Sequence, residues 1–449
     1  MSDLVPTIAV LLICVPFVMR LLRRFAPDER RLLWWSFVAH QVAAIVNIWI
    51  TKFYYGYGDM MSYYRFGLAA AERLRHDFWA TAPRLFGLIL HDPQPIPIPI
   101  ATRGGSTGAM QGIAGFASYF LFDSLHAICA LIAIAAFASK VLFYVVVREE
   151  VPELPRRPVL VACTLLPSAL FWSCSLLKEP IAMIGLLAAT YGLHQLIKGR
   201  RRMLAAVMVG LGCYDLILIK GYIFPALGIA AVVWHFVRKV REQRGDIAFT
   251  AGNVVVVGVA AVGLVAATGA LLPRFGADVL SDQLAGLQSV GARIEGGSNY
   301  SLGMRAGSPA SQAALAPLGL LTALFRPLVF EVNAPIVLAS ALEMTLFLLC
   351  AVLVLVRRGI LSSFSELIRR PFLSFCAMFV LVFGTCVGLA TTNMGTLSRY
   401  RMPLIPFFAV LLLALMARAP ARAAAFTAGQ RASRSPIVPL FPAAKGRKL

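Results

Sequence analysis

Residues 158–197 read PVLVACTLLPSALFWSCSLLKEPIAMIGLLAATYGLHQLI. Two apolar runs in this segment flank the charged pair Lys178 and Glu179, which Pro180 follows directly. Each run approaches the roughly 20 residues that an α-helix needs to cross a bilayer core. Proline fits the first turn of a helix, where its missing N–H costs nothing. The segment therefore predicts two membrane-spanning helices joined by a short charged turn.

The same composition extends along the whole chain of 449 residues, of which 59% are hydrophobic and 14% are charged. Soluble proteins usually carry roughly 25% charged residues. We therefore predict an all-α polytopic membrane protein with about eleven transmembrane helices. The predicted spans are 4–22, 33–52, 118–147, 158–176, 180–197, 203–219, 221–237, 248–272, 334–356, 372–391 and 402–417.

The basic residues predict the orientation of these spans. The net charge is +21, and most of the positive charge lies in clusters between spans. The clusters are Arg20 to Arg31, Arg148 to Arg157, Lys198 to Arg202, Arg238 to Arg244, Arg357 to Arg370 and the tail after 417. Eleven spans place every cluster on one side, and short loops rich in Lys and Arg face the cytoplasm. The N-terminus is thus predicted outside and the C-terminus in the cytoplasm, and no nucleic-acid partner is needed to explain the charge.

The predicted organisation is one transmembrane domain, 1–417, followed by a disordered basic cytoplasmic tail, 418–449. Two extracytoplasmic loops, about 53–117 and 273–333, are too long to be simple turns, and loops of this length are commonly functional. Within the first, the pattern after Arg65 suits a helix lying in the membrane interface. The stretch TRGGSTGAMQG at 102–112 is predicted to be a flexible loop, because its glycines lack the strand–helix context of a phosphate-binding motif.

Basic residues also occur in the predicted outer turns, where the positive-inside rule expects few. They are Lys178, Lys220, Arg326, Arg399 and Arg401. Taken singly, each is explained as a side chain that reaches water from the membrane surface. Taken together, they favour a shared site for a phosphate or pyrophosphate group, because Arg offers forked donors and Lys a point charge.

Three carboxylates accompany these cations: Asp59, Glu179 and Glu331. A carboxylate beside an anion site can act as a general base. Glu179 has a second explanation, because a negative charge at a helix N-terminus is favoured by the helix dipole. Two further acids, Asp215 and Glu343, lie within predicted spans and are candidates for inward-facing groups.

Other chemistries have little support in the sequence. There is no Walker-type phosphate loop, and the six histidines and eight cysteines show no metal-binding or disulfide spacing. No cofactor is demanded, although a divalent metal is compatible with the carboxylates.

Four short stretches resemble a known group of proteins. YGDMMSYYRFG at 57–67 resembles the first extracytoplasmic loop of GT-C superfamily glycosyltransferases, in which an acidic residue is the catalytic base. PSALFWSCSLLKEP at 167–180, LFRPLVFE at 324–331 and SRYRMPLIPFFAVLLL at 398–413 are similar to segments of O-antigen-polymerase-like enzymes and undecaprenyl-phosphate-sugar transferases. The loop with Asp59 follows the second span here, whereas in GT-C enzymes it typically follows the first.

This resemblance implies an enzyme of the bacterial inner membrane. It would transfer a sugar from a polyprenyl-(pyro)phosphate carrier to a glycan or lipid acceptor on the outer face, as a glycosyltransferase or a polysaccharide polymerase. The implied roles are a base (Asp59), phosphate ligands (Lys178, Lys220, Arg326, Arg399, Arg401) and supporting or sugar-binding groups (Glu179, Glu331, Tyr63, Tyr64, Arg65, Tyr400). The alternative is a transporter or flippase of an anionic lipid-linked saccharide, in which the same cations would form a pathway.

Overall fold

A computed structural model describes residues 3–244, 308–332 and 335–417, together with the isolated positions 282 and 286. These residues form helices and no β-strand. The first eleven helices are α1 Leu4–Leu22, α2 Pro27–Trp49, α3 Asp59–His76, α4 Phe78–Ile89, α5 Gly105–Phe120, α6 Leu125–Glu150, α7 Arg156–Thr164, α8 Pro167–Trp172, α9 Lys178–Ile197, α10 Arg202–Ile219 and α11 Ile223–Arg244. The remaining helices are α12 Pro309–Phe325, α13 Pro335–Arg358, α14 Ile360–Arg369, α15 Pro371–Ala390, α16 Met394–Tyr400 and α17 Ile405–Met416.

The polytopic helical class is confirmed. Within the described residues, eight helices are long and apolar enough to cross a membrane, and a ninth span arises if α16 and the segment Met402–Met416, bent by 44°, are counted together. The predicted span 248–272 and the tail 418–449 lie outside the described residues. The count of eleven and the orientation of the termini stay predictions.

The core of the bundle surrounds α6, most of whose residues are buried. It packs against α1, α2, α7 and α9, whereas most of α1 remains exposed, as expected of a helix that faces lipid. The described helices therefore enclose an apolar centre.

The predicted span 158–176 is not one helix. It consists of α7 and α8, which are separated at Leu165 and Leu166. Pro167 has no N–H to donate, and a residue before proline is driven to an extended conformation, as seen for Leu166. Near the end of α8 the side chain of Lys140, fully buried, donates to Ala169 O at 3.0 Å and to Ser173 Oγ at 2.8 Å. This discontinuous segment is thus held by a buried cation rather than by continuous helical hydrogen bonding.

The two predicted loops also contain helices. Residues 53–117 include α3, α4 and most of α5, which pack on one another. Gly67 of α3 lies so close to α5 that an added Cβ would come within 2.7 Å of Ala114 O. The described part of 273–333 contains α12, whose first turn is capped reciprocally by Ser308 and Ser311. None of these described helices is both long and apolar enough to be a span, which explains why the sequence pattern predicts loops in both segments.

The two ends of the bundle can be distinguished by the charges they carry. Arg148 at the end of α6 contacts Glu29 at the start of α2, and Lys198, just after α9, contacts Glu150. We call this the basic end. Asp59, which follows α2, and Lys178, which begins α9, therefore lie at the opposite end.

Candidate functional site

A cavity of about 270 Å³ opens at the end of the bundle opposite the basic end. We call it the charged cavity. Its walls are Asp59, Ser62, Tyr63, Arg103, Ser106, Thr107, Lys178, Glu179, Ile219, Lys220, Tyr222, Arg399 and Tyr400. Seven of the twelve site residues predicted from the sequence line it: Asp59, Tyr63, Lys178, Glu179, Lys220, Arg399 and Tyr400.

Helix ends bring these residues together. Asp59 is the first residue of α3 and follows Gly58, whose φ of 132° favours glycine. Lys178 and Glu179 form the first turn of α9. Lys220 directly follows α10, and Arg399 lies on the short helix α16. Segments that are far apart in sequence thus end around one cavity.

Glu179 is the buried centre of the cavity wall, with 1% of its surface exposed. Its Oε1 lies 2.9 Å from Lys220 Nζ and 3.2 Å from Arg399 Nε. Its Oε2 is buried and has no hydrogen-bond partner among the described residues. A buried carboxylate is normally fully satisfied, so Oε2 is a ready acceptor for a ligand hydroxyl.

Arg399 connects the two carboxylates. One of its terminal nitrogens lies 2.9 Å from Asp59 Oδ2, and the Asp59 side chain is 51% exposed. The ring of Tyr400 lies beneath Lys220, whose Nζ is 3.7 Å from the ring centroid. This cation–π contact compensates part of the cost of burying Lys220. The result is a network from a buried acid to an accessible one.

Lys178 points to a different set of groups. Its Nζ donates to Ser106 Oγ and Thr107 Oγ1, both at 3.0 Å. These residues lie in the first turn of α5, which begins at Gly105. Together with Arg103 they complete the cavity wall. The interpretation of 102–112 as a flexible loop is therefore wrong from Gly105 onward. The sequence signal for this helix start is the stretch from Arg103 to Thr107, RGGST. A glycine-rich stretch before a helix is typical of anion-binding helix N-termini.

The electrostatic surroundings alter the titration of three groups in or near the wall. Burial would lower the pKa of Lys220, but the Glu179 carboxylate, with Tyr222 and Tyr400, raises this pKa above that of a free lysine. Burial raises the pKa of Tyr222. Burial, then Asp59 and Glu179, raises the pKa of Tyr63. Lys220 is thus held charged and the two phenols are held neutral.

The other five predicted site residues do not line the cavity. Arg326 pairs with Glu331, whose Oε1 lies 2.7 Å from Arg326 Nε, and the two form a local contact after α12. Burial acts to raise the pKa of Glu331, but Arg326 and the Leu328 N–H lower it. Tyr64 donates to Asp123 O at 2.6 Å, and Arg65 is exposed on α3.

Arg401 is fully buried in the fold. It donates to Ala323 O, at 3.4 Å, and to Arg326 O, both at the end of α12, and to Ser340 Oγ at 2.6 Å. A cation at a helix C-terminus satisfies carbonyls that lack intrahelical partners. These contacts make Arg401 a bridge between helices.

The two intramembrane acids also lie outside the cavity wall. Glu343 of α13 accepts from the backbone N–H of Ser168 in the first turn of α8, at 2.9 Å. Asp215 of α10 packs so tightly on α9 that a Cβ added to Gly185 would come within 2.2 Å of Asp215 Oδ2. Asp215 Oδ2 is buried without a hydrogen-bond partner among the described residues.

A metal site would require ligands that converge. Within the described ranges, no group of three or more His, Cys, Asp or Glu side chains is arranged to hold a metal ion. In the charged cavity, Arg399 occupies the space between the two carboxylates, Asp59 and Glu179. The described geometry therefore offers an ion-pair network rather than a metal-ligand set.

No family model, no curated protein and no solved structure matches the chain. The resemblance to GT-C glycosyltransferases thus stays a prediction that the four sequence stretches carry, and the function must be argued from the site.

The cavity combines three chemical features. Four cationic side chains line it against two carboxylates, which leaves two excess positive charges and favours an anionic ligand. One carboxylate, Asp59, is accessible enough to take a proton from a ligand. Tyr63 and Tyr400 add aromatic surface. Such a set can bind a phosphate ester and receive a proton from a hydroxyl beside it.

Proposed function

We propose that this protein transfers a sugar from a polyprenyl-(pyro)phosphate carrier to a glycan or lipid acceptor during cell-surface polysaccharide assembly. The observation that carries the proposal is the charged cavity, in which excess cations stand beside an accessible carboxylate. The cations suit the phosphate of the donor, and the carboxylate suits deprotonation of an acceptor hydroxyl. The protein is then a glycosyltransferase or a polysaccharide polymerase.

In the proposed reaction, Asp59 takes the proton of the acceptor hydroxyl. The oxygen of that hydroxyl attacks the anomeric carbon of the sugar. The bond from that carbon to the phosphate oxygen breaks, and its electron pair leaves with the phosphate. The excess positive charge of the cavity stabilises the charge that develops on this leaving group. Glu179 Oε2 accepts from a sugar hydroxyl, and Tyr400 offers a ring face to the sugar.

The proposed location is the outer face of a bacterial inner membrane. The basic end of the bundle suits the cytoplasm, and the charged cavity at the opposite end is therefore proposed to face outward. Exposed aromatic residues precede Asp59: Phe53, Tyr54, Tyr55 and Tyr57. Aromatic side chains concentrate at membrane–water interfaces, which supports a position of the cavity near the lipid headgroups, where a carrier phosphate resides. Nucleotide sugars are cytoplasmic, and a lipid-linked donor therefore suits this side.

One observation favours a second function, transport or flipping of an anionic lipid-linked saccharide. The discontinuous segment of α7 and α8 lies within the bundle, and broken helices are common in transporters. The residues of the charged cavity would then form one end of a pathway. The accessible carboxylate of Asp59 beside the cations of the charged cavity favours the enzyme, because a transport pathway does not need a general base.

An assay in lipid vesicles separates the two functions. The purified protein is reconstituted with a lipid-linked sugar and an acceptor, and both the glycosylated product and the side of the membrane occupied by the donor are measured. The enzyme predicts product formation that Asp59→Asn abolishes. Movement of intact donor across the membrane without product would establish the transporter and overturn the enzyme.

A further inference from the structure

The cations of the charged cavity fall into two groups with different neighbours. Lys220 and Arg399 both contact Glu179, and Arg399 also contacts Asp59. Among the described residues, no carboxylate lies within ion-pair distance of Lys178 or Arg103, whereas neutral hydroxyls accept from Lys178. The excess positive charge of the cavity is therefore concentrated on one side, formed by Arg103, Lys178 and the start of α5.

The start of α5 adds donors to this side. Its N-cap is Gly104, which supplies no side-chain hydrogen bond to the first turn. The first N–H groups of a helix have no intrahelical acceptors, and they favour an anion electrostatically. Beside them, Ser106 and Thr107 present hydroxyls to the cavity. A Cβ built at Gly104 or Gly105 would meet nothing within 4 Å, so the space before the helix is open.

The segment before α5 is fixed in place by one buried side chain. Gln111, which is 4% exposed, accepts from the backbone N–H of Arg103 at 2.8 Å and donates to Ala101 O at 3.1 Å. Arg103 is thereby anchored through its backbone, and this exposed residue lines the cavity. Such preorganisation lowers the entropy cost of binding.

We propose that the phosphoryl group of the ligand binds on this side, between Arg103, Lys178, the hydroxyls of Ser106 and Thr107 and the first turn of α5. The paired cations Lys220 and Arg399 instead hold Glu179 and Asp59 in position for the sugar and the acceptor. The identity of the ligand as a sugar carrier rests on the proposed function. The position of the phosphate does not, because binding can be measured without turnover.

The test measures binding of farnesyl phosphate, farnesol and inorganic phosphate to the purified full-length protein in detergent. Wild type should bind farnesyl phosphate, and inorganic phosphate should compete with it. Farnesol should bind at least tenfold more weakly, because it lacks the anion. If inorganic phosphate binds and farnesyl phosphate does not, the proposal of a lipid-borne ligand is overturned. Equal binding of farnesol would overturn the anion subsite.

Variants locate the phosphate within the cavity. Arg103→Gln and Lys178→Gln should each weaken farnesyl phosphate binding about tenfold, as expected for loss of one charge-assisted contact. Arg399→Gln should change it by less than about threefold, since Arg399 is already neutralised by carboxylates. Lys52→Gln is the matched control, because Lys52 is exposed near the same end but does not line the cavity.

Two results would overturn the assignment: unchanged binding in both Arg103→Gln and Lys178→Gln, or a greater loss in Arg399→Gln than in either. Because Arg103 is exposed, its substitution leaves the fold intact, and circular dichroism verifies this for all variants. A wild type that shows the expected binding pattern but forms no glycosylated product would refute the proposed function alone. Product formation unaffected by Arg103→Gln and Lys178→Gln would refute the subsite alone.

Discussion

Each end of the bundle contains a buried glutamate surrounded by cations, but the two glutamates are satisfied differently. Glu29 at the basic end is 3% exposed, and both its oxygens are used: Tyr144 donates to Oε1 at 3.0 Å and Arg148 to Oε2 at 2.7 Å. Glu179 at the cavity end is 1% exposed, and its Oε2 has no partner within the described part of the chain. The two glutamates are thus almost equally buried, but Glu29 joins helices through both oxygens, whereas the proposed function assigns a sugar hydroxyl to Glu179 Oε2.

The accessible pairs at the two ends differ in the same way. Asp28 and Arg157 lie 3.4 Å apart, and both are more than 70% exposed. Asp59 is exposed as well, but its partner Arg399 is only 20% exposed and reaches back to Glu179. A cavity of about 540 Å³ also lies beside Asp28, and its charged wall residues, Asp28, Glu29, Arg156 and Arg157, balance in sign. The charged cavity is smaller but has two excess positive charges, so net charge rather than cavity size separates the two ends.

The largest effect on stability and transfer is expected when the charge of one buried glutamate is removed, in two separate variants. Glu179→Gln and Glu29→Gln should each lower the free energy of unfolding by about 3 kcal/mol, because each deprives a largely buried cation, Lys220 or Arg148, of its carboxylate. Only Glu179→Gln should also abolish sugar transfer. Thermal unfolding in detergent and a product assay on the same preparations check both parts. Transfer that is lost equally in the two variants would contradict the distinction between the ends.

A smaller effect, confined to catalysis, is expected at the exposed aspartates. Asp59→Asn should lower the rate of sugar transfer at least about a hundredfold, the lower range for loss of a general base, whereas Asp28→Asn should leave it unchanged. Neither should alter the unfolding temperature measurably, since exposed ion pairs contribute little stability. Comparable rates in the two variants would remove Asp59 from the mechanism.

Two neighbouring arginines sharpen the comparison further. Arg401→Gln should lower the free energy of unfolding by about 2 kcal/mol, because it deprives the carbonyls at the end of α12 of a charged donor. Arg399→Gln should lower the rate of sugar transfer, and it should lower the free energy of unfolding by less than Arg401→Gln does. Unfolding curves and transfer rates for the two variants provide the check, and a larger stability loss in Arg399→Gln would contradict their separate roles.

The smallest effect concerns pH. The raised pKa of Lys220 means that the stability contributed by its pairing with Glu179 is fully present below the ordinary lysine pKa of about 10.4. It is lost only as pH rises through the still higher pKa of the folded state. The difference in unfolding free energy between wild type and Lys220→Gln should therefore stay constant from pH 7 to about 10. A difference that rises with pH below about 10 would show that the folded state lowers the pKa of Lys220, and it would contradict the stabilising pair with Glu179.

The sequence predicts much of the fold because span-length apolar runs leave few alternatives to helices. It also predicts Asp59, Lys178, Lys220 and Arg399 as one group, since all four follow or precede spans at the same end. The same reasoning cannot separate Arg401 from Arg399, because position along a span gives depth in the membrane but not lateral direction. The carbonyl acceptors of Arg401 lie at the end of α12, a helix within the predicted loop 273–333.

The start of α5 escaped prediction for a related reason. Gly104 and Gly105 are compatible with a loop and with the start of a helix, and the packing of α5 against α3 and α4 favours the helix. Pro167 within an apolar run is likewise compatible with a kinked span or with a break between two helices. In both cases the local pattern leaves two alternatives, and tertiary contacts decide between them.

The most direct test of the account is an electron cryo-microscopy structure of the protein with a bound prenyl-phosphate sugar. The account predicts density for the phosphate within hydrogen-bond distance of Lys178 and Arg103, with the sugar beside Asp59 and Glu179. Phosphate density at the basic end near Arg156 and Arg157 would contradict this assignment. A charged cavity without ligand density under saturating ligand would contradict it as well.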